Sequence, residues 1–230
     1  MISVEICAST IRDVAVAMEA GAHRVELCSV WSVGGITPNV VVVEAAAAMG
    51  MPVRALIRPR EGSFVHSASE RSWAVEEAKV MMDCGAERVV VGGLDEEGGL
   101  DQVYLEAMVN AVGAESLVWH RAIDASLHVQ EDVRILREFG VEEVLSSGGA
   151  LRALDGMAQL KSMMDSGLRV IAGGGVRPLD VAALAEAGVD AVHASCRKPS
   201  QEGNSKLFDT TVHLVDYDLV CDLVDSVNDL

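Results

Sequence analysis

The chain has 230 residues, 50% of them hydrophobic but only 3% aromatic, and a formal net charge of −17. That balance lacks the basic footprint that nucleic-acid binding needs and opposes anionic membrane surfaces, and no apolar run reaches the roughly 18 residues that span a bilayer. Five cysteines (Cys7, Cys28, Cys84, Cys196 and Cys221) without zinc-type spacing, behind an N-terminus with no basic signal region, read as reduced thiols in a cytoplasmic protein.

Short strand signals and longer helix signals alternate along the chain. A first strand over 2–7 carries Glu5 and ends at Cys7, and Ser9 caps a helix over 9–20. The second strand, 23–28, carries Glu26 and ends at Cys28, before a helix over 39–49. The third, 52–58, ends at Arg58, and Ser69 caps a helix over 69–84. The fourth strand, 87–92, leads to a helix over 100–112. The fifth, 115–120, ends at His120 with Arg121 and Asp124 just beyond it, and a helix covers 128–139. The sixth, 141–146, runs into Ser146-Ser147-Gly148-Gly149 before a helix over 151–165. The seventh, 168–172, runs into Gly173-Gly174-Gly175, and Pro178 sits at the first position of a helix over 178–187. The eighth, 189–193, ends at His193, with Ser195 following. Gly21, Gly85, Gly140 and Gly188 each stand where a helix stops and feeds the next strand, the position that favours a left-handed residue.

Eight strand–helix units predict an α/β fold: a single (β/α)8 TIM-type barrel over 1–196. An open doubly wound sheet is the rival, weakened by the absence of G-x-G-x-x-G after the first strand. Residues 197–208 read as a polar loop, and the stretch beginning at His213 as an acidic amphipathic helix. This 197–230 extension would pack either on the barrel or on an oligomer partner.

In a barrel, alternate residues of each strand face the interior. Glu5, Cys7, Glu26, Cys28, Arg58, His120 and His193 then converge near the C-terminal ends of the strands, where barrel active sites lie. An ion pair of Arg58 with Glu5 or Glu26 that only fixes the interior is the plainer reading, and the thiols have a plain one as small core hydrophobes. His120, held by Asp124 beside Arg121, reads as an acid/base and anion-holding group. Ser147, Gly148, Gly173, Gly174 and Gly175 lie in turns whose backbone N–H groups could approach an anion such as phosphate.

At these residues the sequence resembles the CutC family. The segments that carry the resemblance are VEICAST (4–10), GAHRVELCS with GGITP (21–38), IRPREGSFVHS (57–67), WHRAID (119–124), SSGG (146–149), IAGGGVRP (171–178) and HAS (193–195). The resemblance implies a (β/α)8 barrel, a cytoplasmic homo-oligomer (dimer or tetramer), and a part in copper homeostasis with Cys7 and Cys28 as Cu(I) ligands. Soft thiolates suit that ion. The residues themselves keep a second reading open. In it, an enzyme acts on a small anionic metabolite, a phosphorylated one included: Arg58, Arg121 and the glycine turns hold the anion, and Glu5, Glu26 or His120 moves a proton.

Overall fold

A computed structural model describes residues 2–230. Eight strands, β1 (Ser3–Ala8), β2 (Arg24–Leu27), β3 (Val53–Leu56), β4 (Arg88–Val91), β5 (Leu117–Trp119), β6 (Glu143–Ser146), β7 (Arg169–Gly173) and β8 (Ala191–Ala194), pair in parallel and in chain order, and β8 returns to β1 to close a barrel. Between them run α1 (Ile11–Glu19), α2 (Val40–Ala48), α3 (Ala68–Asp83), α4 (Gln102–Val112), α5 (Val129–Glu138), α6 (Met157–Asp165) and α7 (Val181–Ala187). The expected (β/α)8 barrel is therefore the observed one, and all eight predicted strands are present. Gly21, Gly85, Gly140 and Gly188 hold positive φ angles, so the helix-stop reading of each is also the observed one.

Two caps differ from the sequence reading. Thr10, not Ser9, caps α1, because its side chain reaches the Asp13 N–H. Ser67, not Ser69, caps α3 in a reciprocal pair with Glu70. The seventh helix begins as a 3-10 turn over Pro178–Asp180. Past the barrel the difference is larger. Residues read as loop and helix start form an antiparallel hairpin, β9 (Arg197–Gln201) with β10 (Thr211–Val215). The last helix, α8 (Tyr217–Asn228), packs against α7, α1 and β1, completing the helical ring.

Strand alternation divides the interior. Val4, Ile6, Val25, Leu27, Val53, Ala55, Val89 and Val91 point outward into the helix-covered core. Cys7, Cys28, Leu56, Val90, Val118, Leu145, Ile171 and Ala191 point inward and form a separate apolar layer. Toward the N-terminal strand ends that layer gives way to charge. The Glu5 carboxylate takes Arg24 Nε at 2.5 Å and Arg54 Nη1 at 3.3 Å, and Arg54 Nη2 meets Glu143 at 2.7 Å. Among the described residues, no helix is long and apolar enough to cross a membrane.

Candidate active site

A cavity of about 710 Å³ opens at the C-terminal ends of the strands. Its polar lining comes from residues at those ends: Cys7, Glu26, His120 and His193, with Arg58, Arg121, Asp124, Gly174 and Gly175 from the loops above. Trp31, Leu56, Phe64, Leu145 and Leu151 supply apolar wall. Glu5 lies one layer beneath, wholly buried.

The floor is a linked set on β1, β2 and β8. In-register pairing puts Glu5 opposite His193, and the His193 Nδ1 lies 2.8 Å from Glu5 Oε1. Burial alone would push the Glu5 carboxyl up, but the His193 hydrogen bond and the Arg24 and Arg54 guanidiniums outweigh it, so Glu5 stays ionised. Burial would likewise lower His193, yet the Glu26 and Glu5 carboxylates hold it above its ordinary value. Glu26 differs. Its Oε2 is 3.8 Å from His193 Nδ1, and it is buried with no hydrogen-bond partner. Desolvation, followed by the nearby Glu5 charge, pushes Glu26 up to about 7. Glu5, Glu26 and His193 bring three donor atoms within 4.8 Å of one another, a spacing open to a metal ion. Glu5, however, is already saturated by two arginines and the imidazole, which suits proton chemistry better than coordination.

His120 enters from β5. Its ring occupies space that exists only because residue 92 is glycine: a Cβ there would lie 2.3 Å from Nδ1. Nδ1 accepts the Ala122 N–H at 3.1 Å, capping the 3-10 turn Arg121–Ala125. A nitrogen that accepts a backbone N–H carries no proton, so in the neutral ring the proton sits on Nε2. Nε2 is buried and has no partner in the protein. Burial, then the Arg58 charge, pushes His120 down to about 3, so it stays neutral.

Asp124 does not hold His120. Its carboxylate accepts from the Ser146 and Ser147 hydroxyls, from the backbone N–H groups of Ser147 and Gly149, and from Arg121 Nε. The Ser146-Ser147-Gly148-Gly149 turn is thus an anion nest filled by the chain's own carboxylate. The Gly148 N–H goes to Ser146 Oγ, and a Cβ on Gly148 would strike the Gly156 carbonyl at 2.2 Å. Ser147 and Gly148 are therefore engaged by the chain's own groups. Gly173 belongs to β7, packed against Leu145 and His193, whereas Gly174, beside Arg121, and Gly175, beside Arg152, do line the cavity.

Arg58 pairs with neither Glu5 nor Glu26. It reaches up from β3 and donates to the carbonyls of Val33 (3.0 Å), Gly35 (2.9 Å) and Gly62 (2.9 Å), while its guanidinium stacks over Phe64. It clasps the loop after β2 to the loop after β3. The internal ion pair that the sequence suggested for Arg58 is made by Arg54 instead. Cys7 and Cys28 are buried, with their sulfurs 3.6 Å apart. The hydrogen bond between them, with burial, raises Cys7, and the same bond lowers Cys28. Arg197 closes the site's edge: it donates to the Cys7 carbonyl and Ser9 Oγ and lies over Trp31. Sequence reasoning missed Gly92, Trp31 and Arg197. The G-G doublet after the fourth strand was the only signal available for the first of them.

The CutC family model matches residues 2–198. A CutC-named relative in Agrobacterium fabrum is 33% identical over 84% of this chain and 78% of its own, and one in Caulobacter vibrioides is 34% identical over 85% and 81%. A Streptococcus agalactiae CutC, provisionally described as a copper homeostasis protein, superposes with a TM-score of 0.78 at 26% identity, covering 84% of this chain and 98% of its own.

Proposed function

The chain belongs to the CutC family, and from that premise we propose that it is an acid–base enzyme acting on a small, oxygen-rich anionic metabolite at the barrel mouth. The observation that carries this reading is Glu26: a carboxyl buried without a partner on the cavity floor, poised near neutral pH, and 3.8 Å from an imidazole held by Glu5. A carboxyl titrating near the working pH is well matched to taking and returning a proton. His120 lines the same cavity, and its buried, unpartnered Nε2–H suits an oxygen that gains negative charge in the reaction. Trp31, Leu56 and Phe64 give these groups an apolar wall, which strengthens each electrostatic contact. Arg121, with Gly174 beside it, is the place for a substrate's anionic group.

The reaction class this set serves is proton transfer next to a carbonyl. Imine chemistry through a lysine does not fit. Lys79 and Lys161 lie on α3 and α6, Lys198 on β9 and Lys206 in the turn of the hairpin. The test is a thermal-shift screen of anionic carbonyl metabolites, followed by deuterium incorporation from heavy water read by NMR. A metabolite that stabilises wild type and exchanges its carbon-bound proton, with exchange lost in Glu26→Gln, is expected. Exchange that survives Glu26→Gln, or no stabilising metabolite, overturns the reading.

The sulfur–sulfur approach of 3.6 Å between Cys7 and Cys28 favours a second reading, Cu(I) carried as cargo by a thiolate pair. The same approach favours the cytoplasm, because thiols so placed would bridge in an oxidising compartment. Competition with a chromophoric Cu(I) chelator under reducing conditions tests it: unchanged affinity in Cys7→Ser/Cys28→Ser would remove copper from the site.

A further inference from the structure

In (β/α)8 barrels the turns after the seventh and eighth strands, with the N-terminus of a short helix, frequently hold a substrate's phosphate on backbone N–H groups. Here an aspartate of the chain itself stands at each candidate position. After β6, Asp124 accepts the N–H groups of Ser147 and Gly149 together with both serine hydroxyls. After β7, Pro178 opens the 3-10 turn without an N–H, and the Arg177 N–H goes to Asp180 at 3.0 Å. Asp180 also takes Arg152 Nη2 at 2.6 Å, which commits that arginine too. β8 runs on into the hairpin, and the start of α8 is capped by Asp216, which accepts the Leu219 N–H at 3.1 Å.

The cation that remains at this end is Arg121. Its Nε meets Asp124 Oδ2 at 2.7 Å and its Nη2 meets Ser147 Oγ at 2.9 Å, so the side edge of the guanidinium is spent inside the protein. The end edge, Nη1 with the second Nη2 N–H, takes no partner among the described residues and offers two parallel donors. The Arg121 side chain is 43% exposed and lines the cavity. Gly174 (φ +109°) leaves it room: a Cβ there would lie 3.4 Å from the Arg121 Cζ and Nη1. Arg58, the other arginine of the lining, gives Nη1 and Nη2 to three loop carbonyls. We propose that the substrate's anionic group is a carboxylate gripped by the end edge of Arg121, which makes the substrate an unphosphorylated carbonyl acid. The carbonyl rests on the acid–base reading above; the carboxylate follows from the donors alone. A guanidinium fork satisfies both oxygens of a carboxylate. A phosphate in the same place asks for donors beyond the fork, and the aspartates hold those. Charge agrees. Asp124 already offsets Arg121, and Glu26 stands on the cavity floor, so a second negative charge on the ligand would go unbalanced in a partly buried site.

Matched probes test this on the full chain: short-chain 2-oxo carboxylates against acylphosphonates of the same carbon skeleton, with affinity read by thermal shift and ligand-observed NMR. At least one carboxylate should bind wild type about tenfold more tightly than its phosphonate, the worth of one charge-assisted hydrogen bond. Arg121→Met should abolish that margin. Arg121→Lys keeps the charge but not the fork and should lose most of it, which serves as the test should Arg121→Met misfold. Phosphonates bound as tightly as carboxylates, no carboxylate that binds, or a margin that Arg121→Lys leaves intact overturns the proposal. Glu26→Gln separates it from the acid–base reading, because that variant should keep the carboxylate preference while losing proton exchange. A preference without exchange in wild type removes the acid–base reading and leaves the carboxylate site standing. Glu26-dependent exchange with phosphonates preferred does the reverse.

Discussion

Asp124 takes the backbone N–H of Ser147 with both carboxylate oxygens, at 3.1 and 3.0 Å. A turn built to hold an anion is thereby held by the protein itself, and its rigidity fixes Arg121, whose Nε and Nη2 meet Asp124 Oδ2 and Ser147 Oγ at 2.7 and 2.9 Å.

Removing that carboxylate should vacate the nest. Asp124→Ala is expected to destabilise the fold by about 2–4 kcal/mol, since buried donors lose a charged acceptor. Sulfate or phosphate should recover part of the loss in the variant while leaving the wild-type melting temperature nearly unchanged. Equal stabilisation of both proteins by sulfate would show that the turn accepts external anions after all.

Glu26 should make stability depend on pH. Unfolded, it titrates near the ordinary 4.5; folded, near 7. The folded chain therefore holds the extra proton between those values. The associated stability is fully present below pH 4.5 and lost as pH rises through about 7, roughly 3 kcal/mol in all. His193, also raised, adds loss of the same sign at the upper end. Glu5 is lowered, so its contribution is present above 4.5 and fades only at more acid pH. Denaturant midpoints from pH 5 to pH 8 should fall more steeply for wild type than for Glu26→Gln, in which His193 leaves a smaller fall; parallel slopes would contradict the assignment.

His120 divides into a capping nitrogen and a buried, unpartnered one. His120→Asn offers an oxygen to the Ala122 N–H and should keep the fold within about 1 kcal/mol while losing ligand stabilisation. Gly92→Ala leaves every polar group in place but drives a methyl into the ring. It should also abolish ligand stabilisation, as read by thermal shift against wild type. A Gly92→Ala protein that binds normally would mean that the ring position does not matter.

The charges beneath the cavity should be sensitive to single removals. Arg54→Met leaves Glu5 and Glu143 short of a partner and should cost about 3–5 kcal/mol. Adding Glu143→Gln should return part of that, giving a coupling energy in a double-mutant cycle by urea denaturation. Additive losses would show that the two residues do not share an interaction.

The barrel was legible because each layer wrote its own period. The Val-rich strands alternate with longer helical stretches, and glycines such as Gly21 and Gly188 stop helices in left-handed geometry, so order and boundaries followed. Strand parity likewise put Glu5, Cys7, Glu26, Cys28 and His193 together. Parity ends where a strand ends, and there the reading failed. Arg58 lies past β3 and turns up to loop carbonyls, and Asp124 turns from His120 to the serine turn, because tertiary donors and acceptors decide those directions. The hairpin was missed since RKPSQ has neither apolar alternation nor a two-residue turn signal; its strands pair around Arg197 and a nine-residue connection.

The ion cluster of Arg54, Glu5 and Glu143 has a further consequence for traffic. With charged side chains knitted across the lower barrel, the cavity is a cul-de-sac. Whatever comes in past Trp31 and Phe64 must leave by the same door, so arriving and departing molecules compete for one passage. The clasp made by Arg58 ties together the two loops that border that passage.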